Sequence, residues 1–108
     1  MKMPGHPQKR TYVGIDKDDF GGMTPTGAIV KDAWIFGLLP ETETCAGWDA
    51  GRMQMLYDKT SELWAQHHYR VEALPEDIRA RHERIHREAM ERARALGWEP
   101  DSMIEEES

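Results

Sequence analysis

The sequence predicts an all-α protein: a small three-helix domain built on an antiparallel helical hairpin, with an irregular N-terminal arm and an acidic C-terminal tail. Three observations carry this expectation. Mostly apolar positions recur at helical spacings of three and four along two long segments. A break of a few residues, Val71 to Leu74, separates those segments, which suits a chain that turns straight back on itself. A third apolar run is opened by Thr24-Pro25 and closed by Pro40. The expected helices span residues 24–39, 47–70 and 75–97, inside an arm over 1–23, a helical domain over 24–98 and a tail over 99–108.

The arm holds Pro4, Gly5, Pro7, Gly14, Gly21 and Gly22 and has no helical period. Its first ten residues or so are expected to be disordered. Thr11-Tyr12-Val13-Gly14-Ile15 has the residue types of a short strand. No partner strand is visible elsewhere, so it must dock on a helix, pair with a second copy or stay mobile. Asp16-Lys17-Asp18-Asp19-Phe20-Gly21 has the beginnings of a calcium loop, but Phe20 stands where an oxygen ligand belongs and Gly27 where the closing Glu belongs. It reads as a polar turn.

In the first helix Thr24 caps free amides and Pro25 suits the first helical position. From Ala28 to Leu39 only Lys31 and Asp32 are charged, and apolar side chains point in nearly every direction. A helix of this kind is buried on more than one face. Two further helices are too few to surround it. Ile29, Val30, Trp34, Ile35, Phe36, Leu38 and Leu39 are therefore the candidate interaction surface.

The linker 41–47 contains the single cysteine, Cys45. With no His or Asn at a recognisable spacing, Cys45 reads as a small linker residue rather than a nucleophile. The second helix presents Asp49, Met53, Leu56, Thr60, Leu63 and His67 inward, widened by Tyr57 and Trp64, and His67-His68 marks its end. The third presents Ile78, His82, Ile85, Ala89, Ala93 and Leu96, with Gly97 as its C-terminal stop. Ala89 and Ala93 are expected to let Met53, Leu56 and Trp64 approach closely. Glu83–Arg87 and Glu88–Arg92 add acid-first pairs, worth ~0.2–0.5 kcal/mol each to the isolated helix.

The third helix also carries His82-Glu83-Arg84-Ile85-His86, which fits H-E-x-x-H. Two histidines one turn apart can share a zinc ion, with the intervening Glu as general base. The context lacks the third ligand of the H-x-x-G-x-x-H continuation, and the downstream acids Glu99, Glu105, Glu106 and Glu107 lie past the helix end. Glu83 and His86 also form a Glu-x-x-His of the di-iron type, which needs a facing carboxylate and a second copy of the motif. Glu62 points away from the seam and Asp49 lies several turns off, so only a crossed dimer would assemble such a site.

Composition narrows the function. There are 14 Lys and Arg against 20 Asp and Glu, a net charge of −6, which argues against binding nucleic acid. No apolar run approaches a membrane span, no secretory h-region follows Lys2, and the lone thiol suits a reducing compartment, so a cytoplasmic location is expected. The Arg, Ala and Trp content suggests a GC-rich bacterium. Two functions remain. The first is a non-catalytic interaction or accessory protein without a cofactor, forming a symmetric homodimer or part of a larger assembly. The second is a metal-binding helical protein or small metalloenzyme holding zinc or iron through His82, Glu83 and His86. The balance falls on the first.

Overall fold

Residues 10–99 are described by the computed structural model, and the three helices fall in order along them: α1 (Pro25–Ile35), α2 (Ala50–Gln66) and α3 (Glu76–Ala95). Short 3-10 turns occupy Ile15–Lys17, Asp19–Gly21 and Val71–Ala73. Among the described residues there is no strand, only an isolated antiparallel bridge between Thr11 and Asp49. The fold class is all-α. No described helix is long and apolar enough to cross a membrane. The start of the arm, 1–9, and the tail beyond Glu99 lie outside the described residues.

The helix starts follow from local chemistry. The Thr24 hydroxyl accepts from the Gly27 amide at 2.9 Å, and Pro25 follows as the first helical residue. Asp49, expected inside the second helix, is its N-cap instead, accepting from the Arg52 amide at 2.9 Å. Its carboxylate therefore sits at the helix mouth and not in the seam. α3 starts after Pro75 with no side-chain cap, and Glu76 and Asp77 in its first turn complement the helix dipole.

All three helices end in the same motif, with one residue in the left-handed region just past the cap. At α1, Gly37 (φ 75°) donates to Trp34 O at 3.1 Å and Leu38 to Ala33 O at 2.8 Å. This paired closure satisfies two terminal carbonyls and stops the helix ahead of Pro40, which is why α1 is shorter than the sequence suggests. Gly97 does the same for α3, with Trp98 donating to Ala93 O at 2.9 Å. At α2 the left-handed position is His68 (φ 59°), followed by Tyr69 (φ 55°), and Tyr69 donates to Trp64 O at 2.9 Å. Two side chains that disfavour this conformation thus form the corner between α2 and α3.

The arm finds its partner inside the chain. Tyr12 donates to Trp48 O and Gly47 to Tyr12 O, both at 2.8 Å, and Ile15 donates to Thr44 O at 3.0 Å. The strand-like segment is laid along the linker that precedes α2. Asp18 pins the far end of the arm, accepting from the Tyr12 hydroxyl at 2.6 Å and from the Thr24 hydroxyl. Burial pushes the Asp18 carboxyl up, but the Thr24 and Tyr12 hydrogen bonds outweigh it and hold the group below its ordinary value. The segment 16–21 is a polar turn whose carboxylate is used to cap and tether.

The main core joins arm, α1, linker and α2: Ile15, Val30, Ala33, Cys45, Met53 and Leu56, flanked by Tyr12, Ile29, Trp34, Leu39 and Trp48. α3 adds Ile85, Ala89 and Ala93 as a separate buried strip. The closest backbone approaches run from α1 to α2, from α1 to α3, and from α3 to the turn Asp19–Gly21. α1 thus fills the space between the two arms of the hairpin. The small Ala89 and Ala93 admit α1 and that turn, rather than Met53 and Leu56 as the sequence suggested.

Gly27 is the tightest point of this packing. A Cβ there would lie 2.0 Å from the Gly22 carbonyl oxygen, a backbone atom with no side chain to yield. Gly27→Ala is expected to lower stability by ~1–3 kcal/mol in a denaturant melt. Gly51→Ala, where the nearest atom is an Asp49 oxygen at 3.7 Å, is expected to raise it by ~0.5–1 kcal/mol. A neutral Gly27→Ala would show that the turn before α1 is not locked to the helix.

Candidate functional site

The seven residues of the expected α1 surface divide sharply. Val30 and Ile35 are fully enclosed by the chain's own core. Ile29, Trp34, Phe36 and Leu39 are half-buried, and Trp34 is further held by its indole N–H donating to Glu43 O at 3.0 Å. Leu38 alone is exposed, just beyond the helix end. The arm and linker cover sides of α1 that the sequence left open, so the free apolar face is narrower than expected. Cys45 is likewise core: it is fully buried, lies in the left-handed region (φ 65°), and burial with the nearby Glu43 pushes its thiol up to about 11. A thiol kept protonated and enclosed is a poor nucleophile.

What stays open on that side is a groove of about 500 Å³ between the arm, the start of α1 and the first turns of α2. Tyr12, Ile29, Trp48, Met53 and Tyr57 form its apolar wall, with Thr26, Asp49 and Gln54 among its polar positions. Arg52 lies over the Trp48 ring at 4.0 Å and holds the indole in place. Tyr57 is 49% exposed; Met55, 68% exposed, points from the opposite side of α2. Sequence reasoning found Ile29 and took Tyr57 only as a widening of the inward stripe. It missed Tyr12 and Trp48, because nothing in their spacing shows that the arm folds back on the linker.

The second open groove, about 640 Å³, runs along α3 and is lined by Val71, Glu76, Arg79, Ala80, His82, Glu83 and His86. It contains the whole H-E-x-x-H candidate set. His82 and His86 stack on each other with centroids 4.2 Å apart and planes 26° from parallel. His82 also meets Trp64 edge-on at 6.0 Å, Trp64 meets Phe36 edge-on at 5.2 Å, and Phe36 stacks on His67 at 6.2 Å. Five rings from α1, α2, α3 and the α2 cap thus form one continuous aromatic row. His67, read as a helix end, is the cap of α2.

This row decides what the histidines can do. An imidazole nitrogen offers its lone pair in the ring plane, so two histidines sharing a metal need planes that meet at the ion, ~2 Å from each nitrogen. Rings stacked at 4.2 Å and nearly parallel send their lone pairs side by side instead. Glu83 is exposed on the groove's outer side, and among the described residues no three His, Cys, Asp or Glu side chains converge as a metal set. Burial lowers the His82 imidazole below its ordinary value, with Glu83 opposing. His86 is open to water on its outer side and covered on the face stacked against His82; that partial burial first, then His82 and the Lys31 ammonium, lowers it to about 4. Both rings are neutral at pH 7.

Behind the histidines α1 supplies an unusual pair. Lys31 is only 5% exposed, and its ammonium rests 3.5 Å from the Met23 sulfur, a weak acceptor. Burial and the neighbouring Arg92 lower its affinity for the proton, with Asp32 and Asp18 opposing. Asp32 is raised by its own burial, with Trp64 and Lys31 opposing. The α1–α3 contact therefore already contains a buried cation.

His82→Ala is expected to cost ~1–3 kcal/mol, because it removes the ring that joins Trp64 to His86. His86 and Glu83 are exposed, so His86→Ala and Glu83→Ala should stay within ~1 kcal/mol. Melting the three variants with and without chelator checks this. A chelator effect on the parent that disappears in both histidine variants would mean that the pair binds metal as a unit. No protein-family model, no curated protein and no solved structure matches this chain.

Proposed function

We propose that this is a non-catalytic interaction protein that associates with a second copy of itself through the Tyr12–Ile29–Trp48–Met53–Tyr57 groove. The observation that carries the reading is the character of that groove. Aromatic and sulfur side chains dominate its apolar wall, polar residues rim it, and Arg52 pre-orders its central indole. Tyr, Trp, Met and Arg are the residue types that concentrate binding energy at protein interfaces. Pre-ordering lowers the entropy lost on association.

A second copy suits this surface because Tyr57, on the groove's apolar wall, is half exposed to water. A specific interface needs ~800 Å² per partner, more than the groove alone offers, so the rim around it must also take part. The acidic charge of the chain is compatible with such pairing where the contact is apolar and the charges stay at the rim. The same chemistry supports a place in a larger protein assembly.

Sedimentation of the full chain across the micromolar range tests the reading. The parent is expected to exceed the mass of one 12.5 kDa chain. Tyr57→Asp is expected to weaken association by ~30-fold, the effect of losing ~2 kcal/mol at a central aromatic. Lys59→Ala, on the same helix outside the groove, should leave the mass unchanged. A parent that stays at one chain's mass throughout, or a Tyr57→Asp variant that associates as the parent does, would sink the proposal.

A further inference from the structure

We infer that the stacked His82–His86 pair is an acid-sensitive latch, which holds α3 on α1 and α2 while neutral and releases α3 when it gains protons. The geometry carries this. The two rings are 4.2 Å apart, so their protonation places two like charges in van der Waals contact. Neither ring is hydrogen-bonded to another described residue, so no carboxylate is positioned to take up that charge.

The groups facing the pair do not compensate. From α1 come Lys31, a buried cation, and its neighbour Asp32, which partly offsets it. From the α2 cap comes His67, reached through Phe36. From α3 itself come Glu76, Arg79 and Glu83, all exposed to water along the groove. Exposed carboxylates are screened and offset little. Lys31 opposes protonation of His86, and Glu83, exposed to water, is the carboxylate that favours it at His82.

α3 is also the element that can leave. The main core cluster draws on the arm, α1, the linker and α2, and holds no α3 residue. α3 contributes a strip of Ile85, Ala89 and Ala93, two of which are alanines with little surface to bury. Such a segment opens at lower free energy than the rest of the fold. Its remaining ties, Arg81 to Ile35 O at 2.7 Å and Arg84 to Glu41 at 2.7 Å, do not titrate in mild acid, since Glu41 is held below its ordinary value by Arg84. These ties act beside His82 and oppose release at both pH values, so the histidines supply its pH dependence. Release uncovers Ile85 of α3, so the acid form presents new apolar surface.

The direction follows from linkage. Both histidines bind protons more weakly in the fold than in the open chain, so the stabilisation is complete above their ordinary value of 6.5 and is lost as pH falls below it, for His86 down to about 4. Asp32, raised in the fold, acts in the opposite sense. Its own titration starts from a lower ordinary value, so the histidines govern the upper part of the window.

Melting of the full chain at pH ~7.5 and ~5, beside amide exchange at both values, tests the latch. The parent is expected to lose ~5 °C or more on acidification, with amide protection lost first in α3 and kept in α2. The double variant His82→Gln, His86→Gln should lose less than half of that shift, while the control His68→Gln should keep all of it. If the double variant does not fold, His86→Gln alone, at an exposed position, carries the same comparison. An unchanged pH shift in the histidine variants, or exchange that rises equally in α2 and α3, would overturn the inference. So would a parent profile that moves on adding chelator.

Discussion

A helix that is apolar on every side sets the terms for this structure. α1 has Val30, Ala33 and Ile35 fully enclosed, and these three residues face different neighbours around the helix. Two helices can flank such an element but cannot close it. Here the remaining sides are closed by segments without regular structure, the arm over residues 10–24 and the linker over 40–49. An irregular cover must satisfy its own backbone, since its amides and carbonyls cannot be left dry. The short pairing of Tyr12 with Gly47 and Trp48, the bond from Ile15 to Thr44, and the Asp18 tether serve that need. The core is thus half helix and half pinned loop, and Cys45 and Ile15 are as much a part of it as Met53 and Leu56.

The same constraint explains the buried lysine. Lys31 and Asp32 are adjacent and so lie about 100° apart around α1, and no rotation of the helix sends both to water while Val30, Ala33 and Ile35 stay inside. Lys31 lies inward with its stem among apolar groups and its ammonium against Met23. The cost is eased by Asp18 and Asp32 nearby. A cation placed there in turn weakens the proton affinity of His86 across the α1–α3 contact. A packing requirement of α1 is passed on as a titration property of α3.

How much of this was legible in the sequence depended on whether the signal was local. The existence and order of three helices followed from periodicity and from Thr24-Pro25 and Gly97, which act within a turn of themselves. The early end of α1 at Gly37 was hidden because Pro40 also looked like a stop, and the nearer signal won. The end of α2 was hidden for a different reason: His68 takes a left-handed conformation that nothing in its identity demands, imposed by the corner that Trp64 and Tyr69 close. The pairing of arm with linker was not legible, since it joins residues ~35 positions apart through backbone groups alone. Without it, the α1 face looked open, and the groove built by Tyr12 and Trp48 could not be foreseen.

The H-E-x-x-H pentamer shows why spacing and chemistry must be weighed separately. A four-residue interval brings two histidines to one helical face whether they bind a metal or pack against each other, so the interval does not distinguish the two. What distinguishes them is the orientation of the ring planes, and that is set by neighbours far away in sequence. Trp64 and His82 meet edge to face, as do Phe36 and Trp64, and His67 lies stacked on Phe36. Within that row His82 has its plane fixed from α2, and His86 adopts the stacked position left beside it. Turning both rings toward a common ion would break the contact with Trp64. The histidines are therefore tied to the aromatic packing of the helix ends, and any change in their charge is felt first as a change in how α3 sits on the rest of the molecule.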